Sequence, residues 1–198
     1  MSPSLRIGLD LDGVIIDHGP HKLALARELG YDLEPWQVNS NVMGQFVPDD
    51  DRRAIKERLY GSLTPDAPPI EGALEHLASL PGELYIVSAR RIASVRYAQE
   101  WMMRHGLFEF IPAERIFFCT SKYEKRGHCE RLGISIFIDD QIKVLRNLPL
   151  TVRCVLFDEH RVADKITVDQ HVEVAADWQD VLTIARRSLR RPGAEGMA

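Results

Sequence analysis

The stretch Ile7-Gly8-Leu9-Asp10-Leu11-Asp12-Gly13-Val14 lies near the start of the chain and suggests how the rest of it is organised. Apolar residues alternate with small or polar ones, a pattern that predicts a short buried strand. In open α/β sheets, residues at the carboxyl end of such a strand face the crevice that binds ligands. Two carboxylates separated by one residue repel each other, so the pair needs a neutralising cation or two different roles. The stretch alone also fits a solvated turn at Asp12-Gly13.

Length and composition indicate one soluble domain, or one domain that carries an insertion. The chain has 198 residues, of which 45% are hydrophobic and 27% charged. A net charge of -4 gives no electrostatic reason to expect a nucleic acid polymer or an anionic membrane as partner. The three cysteines form no CxxC pattern, no apolar run approaches the ~20 residues of a membrane span, and the N-terminus does not resemble a signal peptide. These features predict a cytoplasmic protein. The sequence leaves the oligomeric state open.

The pattern of predicted secondary structure changes at residue 70. Beyond it, short apolar strands alternate with helices, which predicts a parallel sheet covered on both faces. The strands are predicted at 84–87, 116–119, 134–138, 152–157 and 171–175, and the helices at 71–80, 92–105, 122–132, around Ile142 and after Asp177. Residues 19–69, with a break at 18–20 and helices predicted over 21–30 and from Asp49 to Gly61, form a small helical insertion. Residues 190–198 are predicted to be a frayed tail.

Polar residues follow three of the predicted strands. They are Asp10 with Asp12, Ser88, and Asp139 with Asp140. The carboxyl ends of parallel strands lie side by side, so these groups are expected to converge although they are far apart in sequence. Four carboxylates in one crevice require a cation, and hard oxygen ligands favour Mg²⁺. The sequence therefore predicts a magnesium site at this edge of the sheet.

Such a site suits phosphoryl transfer. Ser88 offers a hydroxyl donor, and Lys125 or Lys122 supplies a positive charge. Together with a metal, these groups would clamp a transferring phosphoryl group. Asp10 would then be the nucleophile and Asp12 the acid that protonates the leaving oxygen.

Four stretches resemble the motifs of the haloacid dehalogenase-like (HAD) superfamily. Asp10-Leu11-Asp12-Gly13-Val14 resembles its first motif, and Ile86-Val87-Ser88-Ala89-Arg90 its second, a strand that ends in Ser or Thr. Lys125 stands 14 residues before Asp139, as the third-motif lysine does in some members, and Phe137-Ile138-Asp139-Asp140 resembles the fourth motif. The motifs occur in the family's order and cover residues 5–18 and 70–188. The spacing favours Lys125 over Lys122.

The resemblance implies a fold, a cofactor and a mechanism. The fold is a Rossmann-like three-layer α/β core over residues 1–18 and 70–198, with a small helical cap at 19–69. The mechanism is Mg²⁺-dependent and runs through an aspartyl-phosphate on Asp10. Asp12 acts as acid and then as base, and its retention favours a phosphohydrolase over a dehalogenase.

The resemblance also assigns the remaining site residues. The metal ligands would be the Asp10 side chain, the Asp12 backbone carbonyl, and Asp140 directly, with Asp139 beside it. Lys125 would stabilise the nucleophile and the phosphoryl charge. Around the phosphoryl group, substrate binding would fall to Ser88, Ala89 and Arg90.

Several alternatives stay open. A small phosphorylated metabolite is the expected partner, with a nucleotide as first candidate and a sugar or other metabolite phosphate as the second. A non-catalytic regulatory protein that keeps the fold is the alternative from another class. Arg90 and Arg91 also fit an ordinary surface at a helix start, and the four cations Arg52, Arg53, Lys56 and Arg58 fit a solvated helix face. His18 and His21 have metal-binding spacing but lack further ligands nearby.

Overall fold

A computed structural model describes residues 5–189. Its framework is a sheet of six parallel strands in the order β3-β2-β1-β4-β5-β6. The strands are β1 (Arg6–Leu9), β2 (Glu83–Ala89), β3 (Ile116–Cys119), β4 (Ile136–Asp139), β5 (Arg153–Phe157) and β6 (Val172–Ala175). The predicted Rossmann-like α/β fold is confirmed.

Helices connect the strands and cover the sheet. Within the described part of the chain they are α1 (Gly19–Glu28), α2 (Asp49–Leu59), α3 (Ala73–Leu77), α4 (Ile92–Arg104), α5 (Lys125–Leu132), α6 (Ile142–Leu145) and α7 (Trp178–Leu189). None of the helices within 5–189 is both long and apolar enough to cross a bilayer.

The two faces of the sheet bury different hydrophobic clusters. Alternate residues of a strand point to opposite faces, so Ile138 joins one cluster and its neighbour Phe137 joins the other. Helices α3, α4 and α7 pack on the Ile138 face, and α5 and α6 pack on the Phe137 face. This sandwich of three layers explains why the strands after residue 70 are apolar on both sides.

Strand β1 lies in the middle of the sheet, between β2 and β4. Residues 7–9 are completely buried or nearly so. Gly8 is required by close packing, because a Cβ atom at this position would lie 2.4 Å from Cδ2 of Phe137. The chain runs outward from β1 in one direction through β2 and β3 and in the other through β4, β5 and β6. The carboxyl ends of β1 and β4 therefore flank the switch point where open α/β sheets bind ligands.

The segment between β1 and β2 is helical and has a hydrophobic cluster of its own. Apolar residues of α1, α2 and their connection form this cluster, namely Leu25, Ala26, Met43, Val47, Ile55 and Leu59. The chain leaves and re-enters the sheet region at one place, where Ile16 pairs with Pro69. The Trp101 indole of α4 anchors the returning chain by donating to the Ala67 carbonyl at 2.7 Å. The assignment of residues 19–69 as a cap stays a prediction.

The local predictions differ most clearly from the structure in three helices. Helix α1 begins at Gly19, where a break was predicted, because proline is well accommodated in a first helical turn. Helix α3 begins only at Ala73, since Gly72 has a positive φ of 72° and caps it. The helix predicted over 122–132 is a 3-10 turn at Lys122–Glu124 followed by α5. The predicted tail at 190–198 lies outside the described residues.

Candidate active site

The predicted site residues lie at the carboxyl ends of β1, β2 and β4. Asp10 directly follows β1, Ser88 is near the end of β2, and Asp139 is the last residue of β4. The Asp10 amide donates to the Ile138 carbonyl at 2.9 Å, which ties the ends of β1 and β4 together. The switch point of the sheet thus brings together groups that are more than a hundred residues apart in sequence.

Three carboxylates converge there. One oxygen each of Asp10, Asp139 and Asp140 lies within 4.8 Å of the others, and all three residues are buried. Burial raises the pKa of each carboxyl above its usual value, and repulsion among the acids adds to this effect. A buried cluster of ionised carboxylates destabilises the folded protein unless a cation binds among them.

The oxygen atoms of this cluster suit a hard divalent cation such as Mg²⁺. Asp140 Oδ1 is buried and has no hydrogen-bond partner, so it is available as a ligand. Both oxygens of Asp139 are engaged, one by the Gln141 amide at 2.9 Å and the other by Lys125 at 2.7 Å. Of the fourth-motif pair, Asp140 is therefore the better placed for direct coordination.

Lys125 is the cation built into this cluster. Its Nζ lies 2.9 Å from Asp10 Oδ2 and 2.7 Å from Asp139 Oδ2, and only 1% of its side chain is exposed. Burial disfavours the charged ammonium, but the two carboxylates outweigh burial and raise the pKa of Lys125. The competing Lys122 is half-buried in the turn before α5 and lines a neighbouring cleft instead.

Asp12 faces a different set of partners. Arg90 Nε donates to Asp12 Oδ2 at 2.8 Å, and a second guanidinium nitrogen of Arg90 pairs with Oδ1. His18 Nε2 lies 2.7 Å from Asp12 Oδ1, and Ser88 Oγ donates to Oδ2 at 3.3 Å. Burial opposes the charge, yet Arg90 and His18 hold the pKa of Asp12 well below its usual range. The Asp12 side chain is thus held as a carboxylate, away from the three-carboxylate cluster.

Arg90 links the site to the helical segment. It is 2% exposed, so the surface position that the sequence left open for it is wrong. Its Nη1 lies 3.3 Å from Thr64 Oγ1 and 3.4 Å from the Tyr60 carbonyl, and the guanidinium stacks over the Tyr60 ring. Ala89, which was predicted to bind substrate, lines a cavity of about 770 Å³ together with Arg90.

The loop after β1 is shaped by a glycine. Gly13 has a positive φ of 82°, and a Cβ atom there would lie 2.6 Å from Asp140 Oδ2. A side chain at position 13 would therefore displace the carboxylate best placed to hold a cation. The first motif and the fourth motif are in this way packed against each other.

The contacts of two residues in the site were not predicted from the sequence. His18 was weighed as a metal ligand with His21, but it is buried against Asp12. Asn41 was given no role, although its Nδ2 donates to the Asp140 carbonyl at 2.7 Å and its Oδ1 accepts from the Ile142 amide at 3.0 Å. No local signal distinguishes such an asparagine, because its partners are about a hundred residues away.

Comparison with known proteins identifies one matching family. A family model described as 5′ nucleotidase, deoxy (pyrimidine), cytosolic type C matches residues 4–189. None of the curated proteins matches the chain.

Solved structures share the fold at low identity. A haloacid dehalogenase-like protein of unknown function from Agrobacterium tumefaciens is 14% identical, covers 96% of this chain and 100% of its own, and has a TM-score of 0.64. A haloacid dehalogenase-like hydrolase from Streptococcus pneumoniae is 14% identical, with 91% and 98% covered and a TM-score of 0.65. A HAD hydrolase from Bacillus subtilis, solved with bound magnesium, is 12% identical, with 92% and 99% covered and a TM-score of 0.60. At such identities the likeness establishes the fold alone.

Proposed function

The chain belongs to the 5′ nucleotidase, deoxy (pyrimidine), cytosolic type C family of HAD-type hydrolases, and we propose that it is a Mg²⁺-dependent phosphomonoesterase working through Asp10. Membership makes it a hydrolase of the phosphatase type. The metal, the intermediate and the substrate are the proposed part. The observation that carries the proposal is the convergence of Asp10, Asp139 and Asp140 around the ammonium of Lys125.

In the first half-reaction, a carboxylate oxygen of Asp10 attacks phosphorus and the ester bond breaks. The leaving oxygen takes a proton from Asp12, and the phosphoryl group becomes bonded to Asp10. Lys125 and the Ser88 hydroxyl donate to the phosphoryl oxygens as charge moves onto them. Bound Mg²⁺, held by Asp10, Asp140 and the Asp12 carbonyl, would neutralise the carboxylates and the phosphoryl charge.

In the second half-reaction, Asp12 removes a proton from water, and the water oxygen attacks phosphorus. The bond to Asp10 breaks, inorganic phosphate leaves, and both aspartates return to their starting states. The contacts of Asp12 with Arg90 and His18 favour its carboxylate form, which is the form that a base requires. For the acid step, Asp12 first takes up a proton from the monoanionic form of the phosphomonoester, and after the second half-reaction it passes the proton taken from water to the departing phosphate. Arg90 then moves one of its hydrogen bonds from Asp12 to a phosphoryl oxygen, in line with its proposed role in substrate binding.

The helical segment at 19–69 is proposed to be a cap over this crevice. Its own hydrophobic cluster and its contacts through Asn41 and Arg90 support this role. The substrate is a small soluble phosphomonoester, with a nucleotide as the first candidate because of the family and a sugar phosphate as the second.

The test is phosphate release from p-nitrophenyl phosphate. Activity is expected with Mg²⁺ and is expected to vanish with a chelator; full activity in chelator would remove the metal from the proposal. Asp10→Asn should lower turnover on the order of 10³-fold or more while the protein stays folded. The exposed Asp164→Asn is the matched control, and an active Asp10→Asn variant would exclude Asp10 as nucleophile.

The intermediate has its own test. Aryl phosphates have a good leaving group, so Asp12→Asn should slow the second half-reaction more than the first. Acid-quenched Asp12→Asn protein should then carry a hydroxylamine-sensitive phosphoryl group on Asp10. A rapid-quench experiment that finds no phosphoenzyme while turnover continues would favour direct attack by water.

A further inference from the structure

A small cleft beside the candidate active site is lined by an unusual number of cations. It lies between the helical segment and the sheet ends and encloses about 120 Å³. We call it the cationic cleft, and its basic residues are Lys22, Arg52, Lys56, Lys122 and Lys143. No carboxylate side chain of the described residues lines this cleft.

These charges have few neutralising partners. Within residues 5–189, none of the four lysines forms a salt bridge, and Arg52 pairs with the exposed Asp49. Arg52 Nε is nevertheless buried and has no hydrogen-bond partner. Burial together with Arg52, Lys22 and Lys122 lowers the pKa of Lys56. Like charges held this close are unfavourable unless an anion is bound among them.

The remaining cations of α2 behave differently. Arg53 pairs with Asp50, and Arg58 pairs with Glu28 on the exposed surface. These two residues are exposed, as expected for the solvated helix face predicted from the sequence. Arg52 and Lys56 instead line both the cationic cleft and the larger cavity of about 770 Å³.

The cationic cleft adjoins the reacting carboxylates. Asn41 and Gln141 line it, and Asn41 holds the Asp140 carbonyl while the Gln141 amide holds Asp139. Lys22 and Asp140 line a further small pocket together, so Lys22 lies close to the carboxylate cluster. A phosphoryl group at Asp10 has Lys125, Ser88 and Arg90 as its proposed donors, so the cations of the cleft are left for another part of the substrate.

We infer that the cationic cleft binds a second anionic group of the substrate, so that the preferred substrates are phosphomonoesters carrying another phosphate or a carboxylate. This inference rests on the proposed phosphatase function and narrows its substrate class. Arg52 and Lys56 line both cavities and are the main contacts for the second anion.

The first test compares matched substrate pairs. Fructose 1,6-bisphosphate against fructose 6-phosphate, and adenosine 3′,5′-bisphosphate against adenosine 5′-monophosphate, test a second phosphate. 3-Phosphoglycerate against glycerol 3-phosphate tests a carboxylate. For at least one pair, kcat/KM is expected to favour the more anionic member by about tenfold or more, and the preference should weaken in high salt. Equal kcat/KM values within all three pairs would overturn the inference.

The second test uses variants. Lys56→Gln and Lys22→Gln should each reduce the ratio of kcat/KM within the favoured pair by about fivefold or more. Arg27→Gln, an exposed change on the same helix as Lys22, is the control and should leave that ratio unchanged. An unchanged ratio in both lysine variants would overturn the inference.

A binding measurement separates this inference from the proposed function. Titration calorimetry of the Asp10→Asn variant with each pair reports affinity without turnover. The more anionic member should bind more tightly, and this difference should be lost in a variant that also carries Lys56→Gln. That result supports anion binding in the cleft even if no phosphate is released. If phosphate is released from p-nitrophenyl phosphate but both members of every pair bind equally, the phosphatase function stands and the inferred role of the cleft is wrong.

Discussion

Asp10 and Asp12 are two residues apart, yet their carboxylates have opposite surroundings. Asp10 joins two other acids and Lys125, and burial raises its pKa. Asp12 is surrounded by the donors of Arg90 and His18, which lower its pKa against burial. Lys125 and a bound cation would keep Asp10 in the ionised form that a nucleophile requires, whereas Arg90 and His18 favour the ionised form of Asp12 that a base requires.

Lys125 and Lys122 allow a direct comparison at the scale of single residues. Lys125→Met removes the only ammonium in contact with Asp10 among the described residues, so kcat for p-nitrophenyl phosphate should fall on the order of 10²-fold or more. Lys122→Met should lower kcat far less, because Lys122 lines the cleft rather than the carboxylate cluster.

The comparison needs a check on folding. Removing one partner of a buried ion pair typically costs about 3–5 kcal/mol, so thermal unfolding of both variants should be recorded beside the kinetics. Lys125→Arg keeps a positive charge and serves as the conservative variant. A Lys125→Met protein that is folded and retains wild-type kcat would make Lys122 the better candidate for the third-motif lysine.

At the scale of elements, the last helix supports the first motif. Trp178 at the start of α7 is 1% exposed, and its Nε1 donates to the Val14 carbonyl at 3.0 Å across 164 residues of sequence. Val14 directly follows Gly13, whose lack of a side chain leaves room for the Asp140 carboxylate. Helix α7 therefore anchors the loop that carries Asp12.

Trp178→Phe tests this support. The change leaves a buried carbonyl without its donor, which should lower the free energy of unfolding by about 1–3 kcal/mol in urea denaturation. Thr183→Ala on the exposed side of α7 is the control and should stay within about 0.5 kcal/mol of wild type. Equal stability of the Trp178→Phe protein and the wild type would show that the hydrogen bond contributes little.

At the scale of the whole molecule, the carboxylate cluster opposes folding when no cation is bound. Burial raises the pKa values of Asp10, Asp139 and Asp140, so each contributes stability at low pH that is lost as the pH rises through its folded pKa. A cation that binds the ionised cluster replaces the protons and restores stability. The proposed function therefore predicts that protons and Mg²⁺ compete for these three residues.

Thermal unfolding at two pH values measures this competition. The rise in Tm caused by Mg²⁺ should be larger at about pH 8 than at about pH 5.5, and saturation at 100 times Kd corresponds to about 2.7 kcal/mol. Asp140→Asn should remove most of the rise, whereas Asp164→Asn should keep it. A Mg²⁺ effect that is the same in both variants would place the cation elsewhere.

The sequence predicted the strands well because hydrophobic periodicity is a local property. The strand at 116–119 has the predicted bounds, and the strands near 84–87 and 152–157 differ by one or two residues at their ends. Predictions failed where a single residue governs the backbone, as at Gly72, whose positive φ delays α3. They also failed where the choice depends on partners, as for Arg90, which is buried against Asp12 rather than exposed.

The sequence by itself determined the order of the elements and the placement of Asp10, Ser88 and Asp139 at or near the ends of neighbouring strands, since both follow from local patterns along the chain. The tertiary structure alone decided that Asp12 is held by Arg90 and that the cations of α1, α2 and the turn before α5 surround one cleft. The physical reason is that charge pairing and burial depend on distances between side chains, which come from the packing of helices onto the sheet and have no periodic signature in the sequence.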